Sequence, residues 1–79
     1  MTGANPASSA PLPDGPADVR AIRQELGLTQ EQFALRFGLE VAALRNWEAG
    51  RREPDTATRS YLRVIRNAPA QVEVALWTG

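Results

Sequence analysis

Apolar residues return along this chain every three or four positions, in short runs punctuated by glycine or proline. Val19, Ile22 and Leu26 form the first run, with Asp18 or Asp14 available as a cap and Gly27 as a left-handed stop. In the second, Phe33, Ala34 and Phe37 share a face. Thr29 stands three residues before Gln32, the spacing at which a hydroxyl and a Gln side chain satisfy each other's free backbone N–H groups. This helix therefore begins at Gln30, and Gly38 ends it. The third run follows Leu39: Leu44 and Trp47 point inward and Gly50 terminates it. Pro54 and an Asp55 cap open a fourth, with Ala57, Tyr61, Leu62 and Ile65 on one side. Pro69 opens a fifth, in which Val72, Ala75 and Leu76 recur at helical spacing. No strand pattern competes and no segment repeats. The pattern predicts an all-α bundle of five helices over residues 17–79. The leading "MTGANPASSAPLPDGP", residues 1–16, has almost nothing to bury and reads as a flexible, disordered arm outside the fold.

Composition narrows the chemistry. Seventy-nine residues make one small domain with little room for a cleft. Cys and His are both absent, which removes disulfides, thiolate chemistry, the usual zinc ligands and the proton shuttle that works near neutral pH. No metal, cofactor or catalytic residue is expected. Carboxylates such as Glu31 and Glu40 fall on different helices with no pocket to perturb them. Neither an apolar run long enough to span a membrane nor a signal-peptide core occurs, so the expectation is a cytoplasmic protein without enzymatic activity. All nine basic residues are Arg, which suits bidentate recognition of guanine or phosphate and also follows from GC-rich coding. The net charge is zero, yet residues 20–66 hold nine Arg against six carboxylates, a surplus of three. Arg51 and Arg52 stand side by side just past Gly50.

Two short helices joined at Gly38, with the small Ala34 in the first, meet the geometric needs of a helix-turn-helix, although other small helical bundles require similar features. The residues within "LTQEQFALRFGLEVAALRNWEAGRREP" go further. Its LTQ opening, Ala34, Gly38, Leu44 and the WExGxxxP ending of Trp47, Glu48, Gly50 and Pro54 resemble the Cro and phage-repressor type of helix-turn-helix, the XRE-like family. The resemblance covers Val19 to Tyr61. The continuation through a compact fifth helix is similar to short antitoxins of the HigA kind, which bind DNA and neutralise a RelE-like toxin.

The resemblance implies a lambda-repressor-like fold whose third helix lies in the major groove of double-stranded DNA. Gln30 would touch phosphate, and Val41, Ala42, Arg45 and Asn46 would face the groove. Asn46 suits adenine and Arg45 suits guanine, while Val41 and Ala42 offer apolar contact to a thymine methyl. Other uses stay open: Arg45 for phosphate or a surface carboxylate, Val41 for inward packing. Arg51 and Arg52, where the chain leaves the groove, would bind phosphate. Arg23, seven residues before Gln30, stands where a helix-one arginine of the family pairs with the carboxylate at the position of Glu48. Glu40 departs from the family's usual Ser, Thr or Asn; it caps poorly and repels phosphate unless it accepts a hydrogen bond from cytosine N4. The function implied is a transcriptional regulator, a homodimeric autorepressor on a palindromic operator. The alternatives are an antitoxin with a toxin partner or a Cro-like phage regulator. Val72, Val74, Leu76 and Trp77 have two open uses, a two-fold interface or closure of the chain's own core.

Overall fold

The computed structural model describes residues 16–78, with side chains from Asp18 onward. It contains five helices: α1 Pro16–Glu25, α2 Gln30–Phe37, α3 Val41–Ala49, α4 Thr56–Asn67 and α5 Pro69–Thr78. No strand occurs among the described residues. The expected arm and the Asp14 cap lie outside them, except that Pro16 itself opens α1. Proline suits that first position because its fixed φ is already helical and no donor is lost there. Asp18 consequently sits inside the first turn, where its charge favours the helix dipole, and not at the cap.

Local signals set the other boundaries. The Thr29 hydroxyl accepts from the Gln32 N–H at 3.0 Å and the Gln32 side chain accepts from the Thr29 N–H at 2.9 Å, a complete capping box for α2. Asp55 caps α4 by accepting from the Thr58 N–H at 2.8 Å. Glu40 precedes α3 in extended conformation and makes no side-chain cap bond, the weakness its length predicts. Gly38, at φ 67°, closes α2 and lets the Leu39 N–H reach back to the Ala34 carbonyl at 2.8 Å. A left-handed residue here redirects the chain within two positions and sets α3 across α2.

The core joins all five helices: Val19 and Ile22 of α1, Phe33, Ala34 and Phe37 of α2, Leu44 of α3, Leu62 and Ile65 of α4, and Val72 of α5. The rings of Phe33 and Phe37 lie tilted, with centroids 5.1 Å apart. Trp47 and Tyr61 pack half-buried around this centre. The Tyr61 hydroxyl donates to the Phe37 carbonyl at 2.6 Å, satisfying one of the acceptors that the end of α2 leaves free. One expectation fails on placement. Ala57 is exposed, because the first turn of α4 carries it about 140° around the axis from Leu62. Ala75 and Leu76 share a helical face with Val72 but are exposed too, as is every side chain from Val74 to Thr78. Among the described residues no helix is long and apolar enough to cross a membrane, and no cluster of carboxylates could hold a metal ion.

Candidate nucleic-acid interface

α3 is fixed from beneath at its last turn. Glu48 is buried, and a carboxylate there needs partners that replace water. Arg23 of α1 supplies a fork: Nε donates to Oε2 at 2.7 Å and Nη2 to Oε1 at 2.8 Å. Gln30, the first residue of α2, donates from Nε2 to Oε1 at 3.1 Å. Arg20 donates to the Glu48 backbone carbonyl at 3.0 Å, and the third Arg23 nitrogen donates to the Leu28 carbonyl at 3.0 Å. One carboxylate thus gathers α1, the α1–α2 turn, the start of α2 and the end of α3. Burial pushes the Glu48 carboxyl up, but the hydrogen bonds from Arg23 and Gln30 and the two arginine charges outweigh it and hold it below the ordinary range. The same bond to Glu48 raises the Arg23 guanidinium above its usual value.

The opposite face of α3 is open. With Leu44 and Glu48 turned inward, helical spacing leaves Ala42 and Arg45 exposed and Asn46 at the margin, half-buried. Val41 packs partly against the core, the inward use left open for it. Beyond Gly50 both Arg51 and Arg52 are exposed, and neither makes an ion pair among the described residues. The Arg51 N–H bonds to the Asn46 carbonyl at 2.9 Å, so the backbone of this basic turn is tied to the helix it follows. Small side chains at the start of the open face and cations at its end make a surface that can approach a polyanion closely at one place and hold it at another.

The polar side chains on this face already have partners. Arg45 donates from Nη2 to Glu31 Oε2 at 2.5 Å, the surface carboxylate that its open alternative named. Asn46 accepts at Oδ1 from Arg51 Nη1 at 3.1 Å, and among the described residues its own amide donor has no partner. Gln30 lies against Glu48. The structure therefore brings Arg23 and Glu48 together, leaves Ala42, Arg45, Asn46, Arg51 and Arg52 along the open side of α3 and the turn that follows it, and turns the Gln30 side chain inward. Of the residues with two open uses, Val72 sits in the chain's own core, while Val74, Leu76 and Trp77 remain on the surface. Trp77 Nε1 donates to the Arg36 carbonyl at 2.8 Å and so ties the end of α5 to α2.

Three contributors escape a reading of the sequence. Arg20 precedes Arg23 by one helical turn, so a shared face is available as a signal. Glu31 carries a signal only in its charge, since its contact with Arg45 depends on how α2 crosses α3. The Tyr61 hydroxyl has none, because the carbonyl it meets lies on another helix.

Comparison with known proteins agrees with this geometry. A helix-turn-helix family model matches residues 19–58. The Escherichia coli K12 protein named "Uncharacterized HTH-type transcriptional regulator YiaG" is 32% identical over 53 residues, covering 67% of this chain and 55% of that protein. Its counterpart in Escherichia coli O157:H7 matches at the same level. The chain thus spans about half the length of the curated relatives it matches. The crystal structure of an XRE-family-like helix-turn-helix protein from Agrobacterium tumefaciens superposes with a TM-score of 0.72 at 43% identity, covering 73% of this chain and 94% of that one.

Proposed function

We propose, from the premise that this chain belongs to the XRE family of helix-turn-helix proteins, that it binds double-stranded DNA sequence-specifically as a transcriptional regulator. The observation that carries this reading is the division of α3: Leu44 and Glu48 anchor one side, while Ala42 and Arg45 stand open on the other. In this reading α3 enters the major groove, Asn46 pairs with adenine, Arg45 with guanine, and Ala42 lies against a thymine methyl. Arg51 and Arg52 bind phosphate where the chain leaves the groove. Adenine needs both the oxygen and the amino group of Asn46; Oδ1 has a second lone pair for adenine N6, so the contact with Arg51 does not block the pairing. The N–H groups at the start of α2, near Gln30, add a weaker anion contact.

Binding of the purified chain to its own upstream DNA at several salt concentrations tests this. The expected result is a palindromic footprint and an affinity that falls steeply with salt. Replacing Arg51 and Arg52 by Ala should flatten the dependence of log affinity on log salt by about two, one for each phosphate no longer neutralised. A folded double variant that keeps the wild-type slope would remove both residues from phosphate binding.

A single helix-turn-helix reads few base pairs, so the regulator works as a homodimer with half-sites about 34–36 Å apart, acting as an autorepressor. The exposed Val74, Leu76 and Trp77 near the chain's described end supply the two-fold contact; Val72 does not, being enclosed already. α5 is apolar around much of its circumference, yet only Val72 is buried in this single chain. Light scattering on wild type and Trp77→Glu tests the interface: a dimer at micromolar concentration that the substitution splits. A monomeric wild type would instead leave this surface to a protein partner such as the toxin of the antitoxin reading.

A further inference from the structure

Arginine on a DNA-facing helix presents a general problem. A guanidinium that reaches guanine in the correct site reaches phosphate in every other, and the second contact raises affinity for all DNA without distinguishing any. Arg45 meets this problem with a carboxylate already beside it. Glu31, in the first turn of α2, takes one N–H from Arg45 Nη2, and both side chains stay substantially exposed, at 49% for Arg45 and 66% for Glu31. An exposed pair of this kind contributes little to stability, so stability does not account for its placement on the open face.

We propose that Glu31 is a specificity-determining residue, which neutralises Arg45 toward phosphate while holding it in position for guanine. The inference rests on the DNA-binding reading above. A guanidinium has five N–H groups, of which Glu31 uses one and guanine O6 and N7 need two, so the pair persists when the base is read. Phosphate can use the same free N–H groups, but its attraction draws mainly on net charge, which the Glu31 carboxylate offsets at Arg45. The Glu31 carboxyl lies below the ordinary range, lowered by the nearby backbone N–H of its own residue at the helix start and by the bond from Arg45. Arg45 therefore meets a carboxylate carried by α2, a helix packed directly against α3.

The test uses the full chain, a random-sequence duplex, and a duplex enriched from a random pool by the wild-type protein. Glu31→Gln keeps the size of the side chain and removes its charge. Expected for this variant is random-duplex binding about threefold tighter, with a salt slope steeper by about one, the signature of one further phosphate contact. Its preference for the enriched duplex falls by a similar factor or more. In an Arg45→Ala background the same substitution leaves preference and salt slope unchanged, because nothing remains for Glu31 to aim. Equal effects of Glu31→Gln with and without Arg45 would overturn the inference, leaving Glu31 as a general repulsive charge. So would an unchanged preference and slope in the single variant. A wild type that enriches no duplex and binds the random one no better than Arg51→Ala with Arg52→Ala would instead defeat the DNA-binding reading itself, and the inference with it. Matching thermal unfolding of all variants keeps a folding defect from being mistaken for any of these results.

Discussion

Glu48 and Glu31 both accept hydrogen bonds from an arginine, but one side chain is 3% exposed and the other 66%. The buried carboxylate has lost its water and depends on Arg23, Gln30 and Arg20 together; the exposed one can exchange Arg45 for solvent at little cost. The same chemical pair therefore does two jobs. Under α3 it determines where the helix sits. On top of α3 it determines what one side chain of the helix is free to touch. Burial, more than bond length, separates a structural contact from a functional one here.

The largest expected effect lies on the buried side. Arg23→Ala strips both fork bonds from Glu48 and should lower stability in denaturant titration by about 3 kcal/mol, the lower end for breaking a buried pair because Gln30 and Arg20 remain. That is a large share of the margin of a small domain. An unchanged unfolding midpoint together with altered DNA preference would dissolve the contrast with Glu31. Acid sharpens the contrast further. The folded-state carboxyl of Glu48 lies below its ordinary value of 4.5, so its stabilisation is fully present above that pH and disappears as pH falls through the lowered value. Wild type should accordingly lose stability in that acid window, and Glu48→Gln, less stable at neutral pH, should lose less of what it has. Parallel acid curves for the two proteins would contradict this account.

Tyr61 tests the middle of the scale. Its hydroxyl is half-buried and bonds a carbonyl at the end of α2, so Tyr61→Phe should destabilise by about 1 kcal/mol. The smallest effect belongs to the exposed side: Glu31→Gln should leave the unfolding midpoint within experimental scatter while changing DNA preference. A midpoint lowered as far as in Tyr61→Phe would assign Glu31 to the scaffold.

Features governed by neighbours along the chain are legible in the order of residues. Thr29 with Gln32, Asp55, and the glycines at 27, 38 and 50 act on backbone groups within a turn of themselves, and the predicted starts of α2, α4 and α5 coincide with the observed ones. The Arg23–Glu48 pairing is anticipated only through family resemblance, since nothing in a spacing of 25 residues brings two side chains together. Nothing in the residue order connects Gln30 to Glu48, and helical periodicity goes no further than placing Arg20 beside Arg23.

Amino-acid order by itself determined five amphipathic or apolar segments, their caps and stops, and the absence of Cys and His that turns attention from catalysis to binding. Tertiary structure alone decided that Gln30 turns inward, that Glu31 meets Arg45, and that of the apolar residues of α5 Val72 is enclosed while Trp77 is 60% exposed. The reason is geometric. Capping and periodicity depend on a helix's own axis, whereas burial and cross-helix bonds depend on the angle at which two axes cross and on how far each helix extends past its neighbours.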